Sequence, residues 1–154
     1  MIKREFHNDS DDRIMAEHIL KEILTGYAEI HWTEYQYDRI DGYVTTKKGN
    51  KYKVHIKNRM NYSIDDFKTT MIDKTCYEDS IEDAILIILY PKNEKVLMFT
   101  SKCIQNAFKG NTKRNVISYS ETTKEWYIEK NKELSELDIN KGKIMTYQEL
   151  KLAV

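Results

Sequence analysis

Tyr37-Asp38-Arg39-Ile40-Asp41-Gly42-Tyr43-Val44, then the turn-forming Lys48-Gly49-Asn50, then Tyr52-Lys53-Val54-His55-Ile56-Lys57-Asn58-Arg59, is the stretch whose reading decides the fold. Two alternating runs around a Gly/Asn turn predict a β-hairpin. Residues two apart on a strand share a face, so Lys53, His55 and Lys57 lie on one side and Tyr52, Val54 and Ile56 on the other. A three-residue loop over Lys48-Gly49-Asn50 pairs Lys47 with Lys51, Thr45 with Lys53, Tyr43 with His55 and Asp41 with Lys57. A four-residue loop turns Asp41 to the face of Ile56 instead. Register therefore decides whether an acid, an imidazole and an ammonium meet in a layout that can hold a divalent metal beside a lysine. Asp38, one face away in the favoured register, is the competing acid.

Upstream of the hairpin, Ala16, Ile19, Leu20, Ile23 and Leu24 form an apolar stripe that predicts a helix over 11–25, with Asp9 or Ser10 to cap it and Gly26 to end it. Glu17 lies at the edge of that stripe. Tyr27–Tyr35 is ambiguous, with Ile30–Tyr35 a candidate strand. Downstream, Ser63-Ile64-Asp65-Asp66 reads as a capping box that opens a helix over Asp65–Glu78, leaning on the sheet through Phe67, Met71 and Ile72. Ala84–Tyr90 and Val96–Thr100 read as strands across the loop Pro91–Lys95, the first apolar on both faces as a central strand is. Ser101–Phe108 suits a short helix, Val116–Ser120 and Trp126–Glu129 a second hairpin, and Thr146-Tyr147-Gln148-Glu149 a capping box for a terminal helix. The expected fold is α/β, a mixed central β-sheet flanked by helices.

The order acid, spacer of about a dozen residues, then acid-x-Lys, matched here by Asp41 and His55-Ile56-Lys57, resembles the core motif of the PD-(D/E)XK nucleases, the restriction-endonuclease-like superfamily. The helix with Glu17, the basic Lys57-Asn58-Arg59 run and the following elements agree with that resemblance, which covers roughly residues 11 to 100. The motif's second acid is His55 in this chain, and the Pro before the first acid is absent. The resemblance implies an αβββαβ core, which requires a strand before Tyr37. It implies a divalent-metal-dependent nuclease that hydrolyses DNA phosphodiester bonds, with Mg²⁺ or Mn²⁺ as cofactor and DNA as partner. Asp41 would be the essential metal ligand, His55 would stand in the second-ligand position, Glu17 would be an outer ligand or orient water, and Lys57 would hold the nucleophile or balance phosphate charge. An imidazole suits Mn²⁺, Co²⁺ or Zn²⁺ better than Mg²⁺. The departure at His55 leaves a second function open: a catalytically silent module of the same fold that binds nucleic acid or a protein.

Charge is locally uneven although the chain is neutral overall. No acid falls between Asp41 and Asp65, whereas Lys47, Lys48, Lys51, Lys53, Lys57 and Arg59 do; of these Lys47, Lys48, Lys51, Lys53 and Arg59 are the candidate nucleic-acid contacts. A second basic group, Lys109, Lys113 and Arg114, surrounds Gly110. The 154 residues are expected to form a single domain, since one Pro, five Gly and no repeat leave no linker or solenoid to place. The longest apolar run, Ala84–Leu89, is too short to span a bilayer and the start Met1–Glu5 is no signal peptide, so no membrane partner and a cytoplasmic location are expected. Cys76 and Cys103 lack metal-knuckle spacing and are expected as reduced buried thiols. Walker, GxGxxG and GxSxG motifs are absent, which leaves triphosphatase, dinucleotide and esterase chemistry without support. The Lys/Ile/Asn/Tyr-rich composition suggests an AT-rich source, such as a phage or mobile element, and a dimer is left open.

Overall fold

A computed structural model describes residues 9–32, 42–66, 70–73, 84–107, 114–121, 123–128 and 141–153. Helix α1 (Asp9–Leu24) ends as its sequence predicts: Gly26 takes φ +87° and the Tyr27 N–H donates to the Leu24 carbonyl at 2.8 Å. Strands β1 (Ala28–Trp32), β2 (Gly42–Thr46) and β3 (Lys51–Asn58) follow as an antiparallel meander. The strand required before Tyr37 is therefore present, a few residues earlier than Ile30–Tyr35. After β4 (Thr70–Asp73), strand β5 (Ala84–Tyr90) returns to lie parallel beside β3. Strand β6 (Lys95–Phe99), helix α2 (Ser101–Ala107), strands β7 (Arg114–Ser120), β8 (Glu125–Ile128) and β9 (Lys143–Thr146), and helix α3 (Tyr147–Ala153) complete the order.

The class is α/β with a mixed six-stranded central sheet, ordered β1-β2-β3-β5-β6-β9, beside a three-stranded sheet β4-β7-β8. β5 carries an unbroken apolar run because both its faces are covered. Ile85, Ile87 and Leu89 join Val44, Val54 and Ile56 in a core closed by Ala16, Leu20, Ile23 and Leu24 of α1 and Leu150 of α3. Leu86, Ile88 and Tyr90 point the other way, into a second core with Cys103 and Ile104 of α2 and Ile117, Trp126 and Ile128 of the small sheet. Cys103 is a buried free thiol, as expected; Cys76 lies outside the described residues. The terminal capping box forms in both directions, Glu149 N–H to Thr146 Oγ1 at 3.1 Å and Thr146 N–H to Glu149 Oε1 at 3.2 Å.

One local expectation is corrected. The Ser63–Asp66 box also closes, with Ser63 N–H donating to Asp66 Oδ2 at 2.7 Å, yet it opens only a 3-10 turn, Ile64–Asp66, and Thr70–Asp73 is a strand paired with β7, not part of a helix. The β-branched Thr70 and Ile72 suit a strand, and the partner strand that captures them lies more than forty residues on. The second hairpin forms as expected, with Ser120 opposite Glu125, and joins β4 in the small sheet. Lys143–Thr146, whose first three residues the sequence leaves unassigned, is the edge strand of the large sheet.

Backbone approach is closest at Gly42. A Cβ there would lie 2.6 Å from the His31 carbonyl oxygen and 2.8 Å from the Trp32 ring. Gly42→Ala must push β1 away from β2, and it is expected to cost about 1–3 kcal/mol, the usual range for overpacking. A thermal midpoint unchanged from the parent would show that β1 is not packed on β2 at this distance.

Candidate functional site

The turn of the first hairpin sets the geometry of everything on β3. Thr46 N–H donates to the Asn50 carbonyl at 2.8 Å and Gly49 N–H to the Thr46 carbonyl at 3.0 Å, so the loop is Lys47-Lys48-Gly49, one residue earlier than Lys48-Gly49-Asn50. Such a loop needs its left-handed residue in the last position, and Gly49 supplies it at φ +89°. Asn50 N–H is satisfied by Thr46 Oγ1 at 3.2 Å. The ladder is consequently Thr45 with Lys51, Val44 with Tyr52, Tyr43 with Lys53 and Gly42 with Val54, which corrects the expected pairs of Tyr43 with His55 and Thr45 with Lys53. A shift of one loop residue moves pairing by two positions and leaves each side chain on its face.

Lys53, His55 and Lys57 do share a face, opposite Tyr52, Val54 and Ile56. On the parallel side His55 pairs with Leu86 and Lys57 with Ile88, both members of the second core. β3 is an inner strand, not a sheet edge. His55 is 8% exposed, a buried imidazole next to apolar side chains, while Lys57 is half-buried. Glu17, also half-buried, rides on α1 in the layer that covers Val54 and Ile56, so the sheet stands between its helix and the His55–Lys57 face. Asp41 and Asp38 lie outside the described residues. Among the described residues no three His, Cys, Asp or Glu side chains group as a metal site.

The basic residues divide between the two ends of β3. Lys47, Lys48 and Lys51 are exposed at the hairpin tip, and Lys53 is half-buried just behind them. Aromatic partners that the sequence did not single out join them: Lys51 Nζ lies 4.5 Å from the Tyr43 ring centre, and Lys47 and Lys151 approach the Tyr27 ring at 6.0 and 5.7 Å. Tyr27 follows the helix-ending Gly26 and is itself exposed, which is the signal that could have marked it. Arg59 is about 26 Å from Lys51 at ~3.3 Å per residue. It belongs to another cluster, with its guanidinium 5.9 Å from the Tyr62 ring. Burial pushes the Tyr90 hydroxyl up from its ordinary range; the Arg59 charge opposes that push and Asp66 adds to it. The Arg59 N–H also donates to the Leu89 carbonyl at 2.8 Å, which ties it to the end of β5. Of the second basic group, Lys109 and Lys113 lie outside the described residues, and Arg114 begins β7 opposite Asp73.

No helix among the described residues is long and apolar enough to cross a membrane. Comparison with known proteins finds no matching family model, no matching curated relative and no matching solved structure, so the reading of this site rests on its own geometry and chemistry.

Proposed function

We propose that this chain is a divalent-metal-dependent nuclease that hydrolyses DNA phosphodiester bonds on a restriction-endonuclease-like core. The observation that carries the reading is the order of elements around β3: a helix, an antiparallel β1-β2-β3 meander, then β5 parallel to β3, with His55 and Lys57 two residues apart on the inner strand. The αβββαβ core calls for the same meander and the same parallel last strand, with a helix in the crossover between them. The crossover between β3 and β5 contributes a 3-10 turn and a strand among its described residues.

A hard cation polarises the phosphate, lowers the pKa of a bound water and stabilises the leaving oxygen. Asp41 would hold that cation with His55, and the Lys57 ammonium would orient the nucleophile or balance the phosphate charge. Glu17 would have to reach this face around the end of the sheet, so the proposed chemistry rests first on the other three. Lys47, Lys48, Lys51 and Lys53 would track the backbone as it approaches from the hairpin tip.

Because an imidazole stands where a carboxylate is usual, cleavage is expected to run faster with Mn²⁺ than with Mg²⁺. His55→Glu should narrow the gap. Equal rates for the parent with the two metals would remove His55 from the ligand set.

The burial of His55 favours one other reading. An imidazole 8% exposed beside Leu86 is placed for packing as well as for ligation, which suits a module that binds nucleic acid without cutting it. Metal-dependent nicking of supercoiled plasmid, present or absent in the parent protein, separates the two.

A further inference from the structure

On the face of the central sheet that the second core covers, α2, the β7–β8 turn and the start of β9 enclose a half-open cavity of about 700 Å³. Among the described residues its rim carries Lys102, Lys124, Lys141 and Lys143 together with the carboxylate of Glu125. All four lysines are exposed, in a chain whose net charge is zero. Lys124 pairs with Glu121 at 3.2 Å and Lys141 with Glu125 at 3.6 Å, both in solvent, where such pairs are weak and yield readily to a stronger anion. Among the described residues no carboxylate pairs with Lys102 or Lys143.

The floor is rigid. Gly142 N–H donates to the Trp126 carbonyl at 2.8 Å, Cys103 Sγ lies 3.6 Å from the Lys141 carbonyl, and Lys141 bridges Tyr127. A Cβ at Gly142 would sit 2.5 Å from the Phe99 ring, so glycine lets this backbone press onto the core. Lys141 and Lys143 flank that anchored residue and, two apart on extended chain, emerge on the same side.

We infer that this groove binds the phosphodiester backbone of a nucleic-acid strand, an inference that rests on the nucleic-acid reading above. The lysines stand on three separate segments around an open trough, an arrangement that suits successive phosphates better than one small anion. Its position fits as well. His55 is level with Leu86, Leu86 with Phe99, and Met98 with Lys143. The groove therefore lies level with the middle of β3, around His55 and Ile56, three strands across, about 14 Å at the usual strand spacing. That span equals roughly four stacked nucleotides at ~3.4 Å each.

The test is binding of a fluorescein-labelled 20-nucleotide single strand by the full chain in EDTA, which blocks any cleavage, over a salt series. Lys102→Glu combined with Lys143→Glu is expected to weaken binding at least tenfold and to lower the slope of log affinity against log salt by about 1.4, two phosphate contacts at ~0.7 each. Lys102→Gln with Lys143→Gln, a change that preserves rim packing, should give the same slope at smaller loss. Parent-like affinity and slope in both double variants overturn the groove while leaving the nuclease reading intact. Binding lost in the groove variants of a parent that does not cleave supports the groove and overturns the nuclease reading. A parent that binds no strand overturns both.

Discussion

Asp41→Ala is expected to lower metal-dependent DNA cleavage by roughly 10³-fold or more while leaving the melting temperature and DNA affinity close to those of the parent. A bound cation supplies several kcal/mol of stabilisation to the phosphoryl transition state, and each ~1.4 kcal/mol is a factor of ten in rate. In the proposed site Asp41 is the hard anionic ligand, and the neutral imidazole of His55 would not hold Mg²⁺ in its place. A carboxylate beside a polyphosphate also repels it, so its removal should leave binding in EDTA equal or slightly tighter. Loss of cleavage with retained affinity assigns Asp41 to catalysis. Undiminished cleavage by the variant would contradict the motif and the site together, and a parent inactive with every divalent metal would leave the silent binding module.

How much of this was legible beforehand depended on how local the signal was. The end of α1 at Gly26, the β7–β8 turn and the box at Thr146–Glu149 are set by residues within one turn of each other, and they stand where the sequence puts them. The first hairpin was legible as a hairpin, and its faces followed from alternation alone. Its register did not, because Gly49 and Asn50 both tolerate a left-handed conformation and only the three-dimensional turn shows that Gly49 takes it. Ser63–Asp66 carries the same local signature as Thr146–Glu149. What differs is the chain beyond, where β7 offers Thr70–Asp73 a ladder. β9 is likewise a product of its partner, since Lys143-Ile144-Met145-Thr146 is too short to announce a strand without β6. The same limit applies to the site: His55 and Lys57 share a face by alternation, whereas the burial of His55 comes from β5 and the second core.

The largest stability effect is expected at Trp126, which ties the small sheet to the rest of the molecule. Its side chain is 1% exposed, meets the Tyr119 ring edge-on at 5.6 Å, and fills the core between α2, β5 and β6. Its carbonyl holds Gly142, so the same residue fixes the backbone from which β9 starts. Truncation of a buried aromatic costs about 3–5 kcal/mol, against a total of roughly 5–15 for a domain of ordinary stability. Trp126→Ala should therefore lower the thermal midpoint by roughly 6–20 °C, and Trp126→Phe, which keeps most of the ring volume, by much less. The loss should be felt well beyond β8, because the second core is shared with Leu86 and Ile88, the strand partners of His55 and Lys57. Trp126→Ala should accordingly weaken any activity that depends on that pair, even at temperatures where the protein stays folded. A midpoint within a degree or two of the parent would mean that Trp126 is not packed in this core, and the small sheet could then be docked on β5 only loosely.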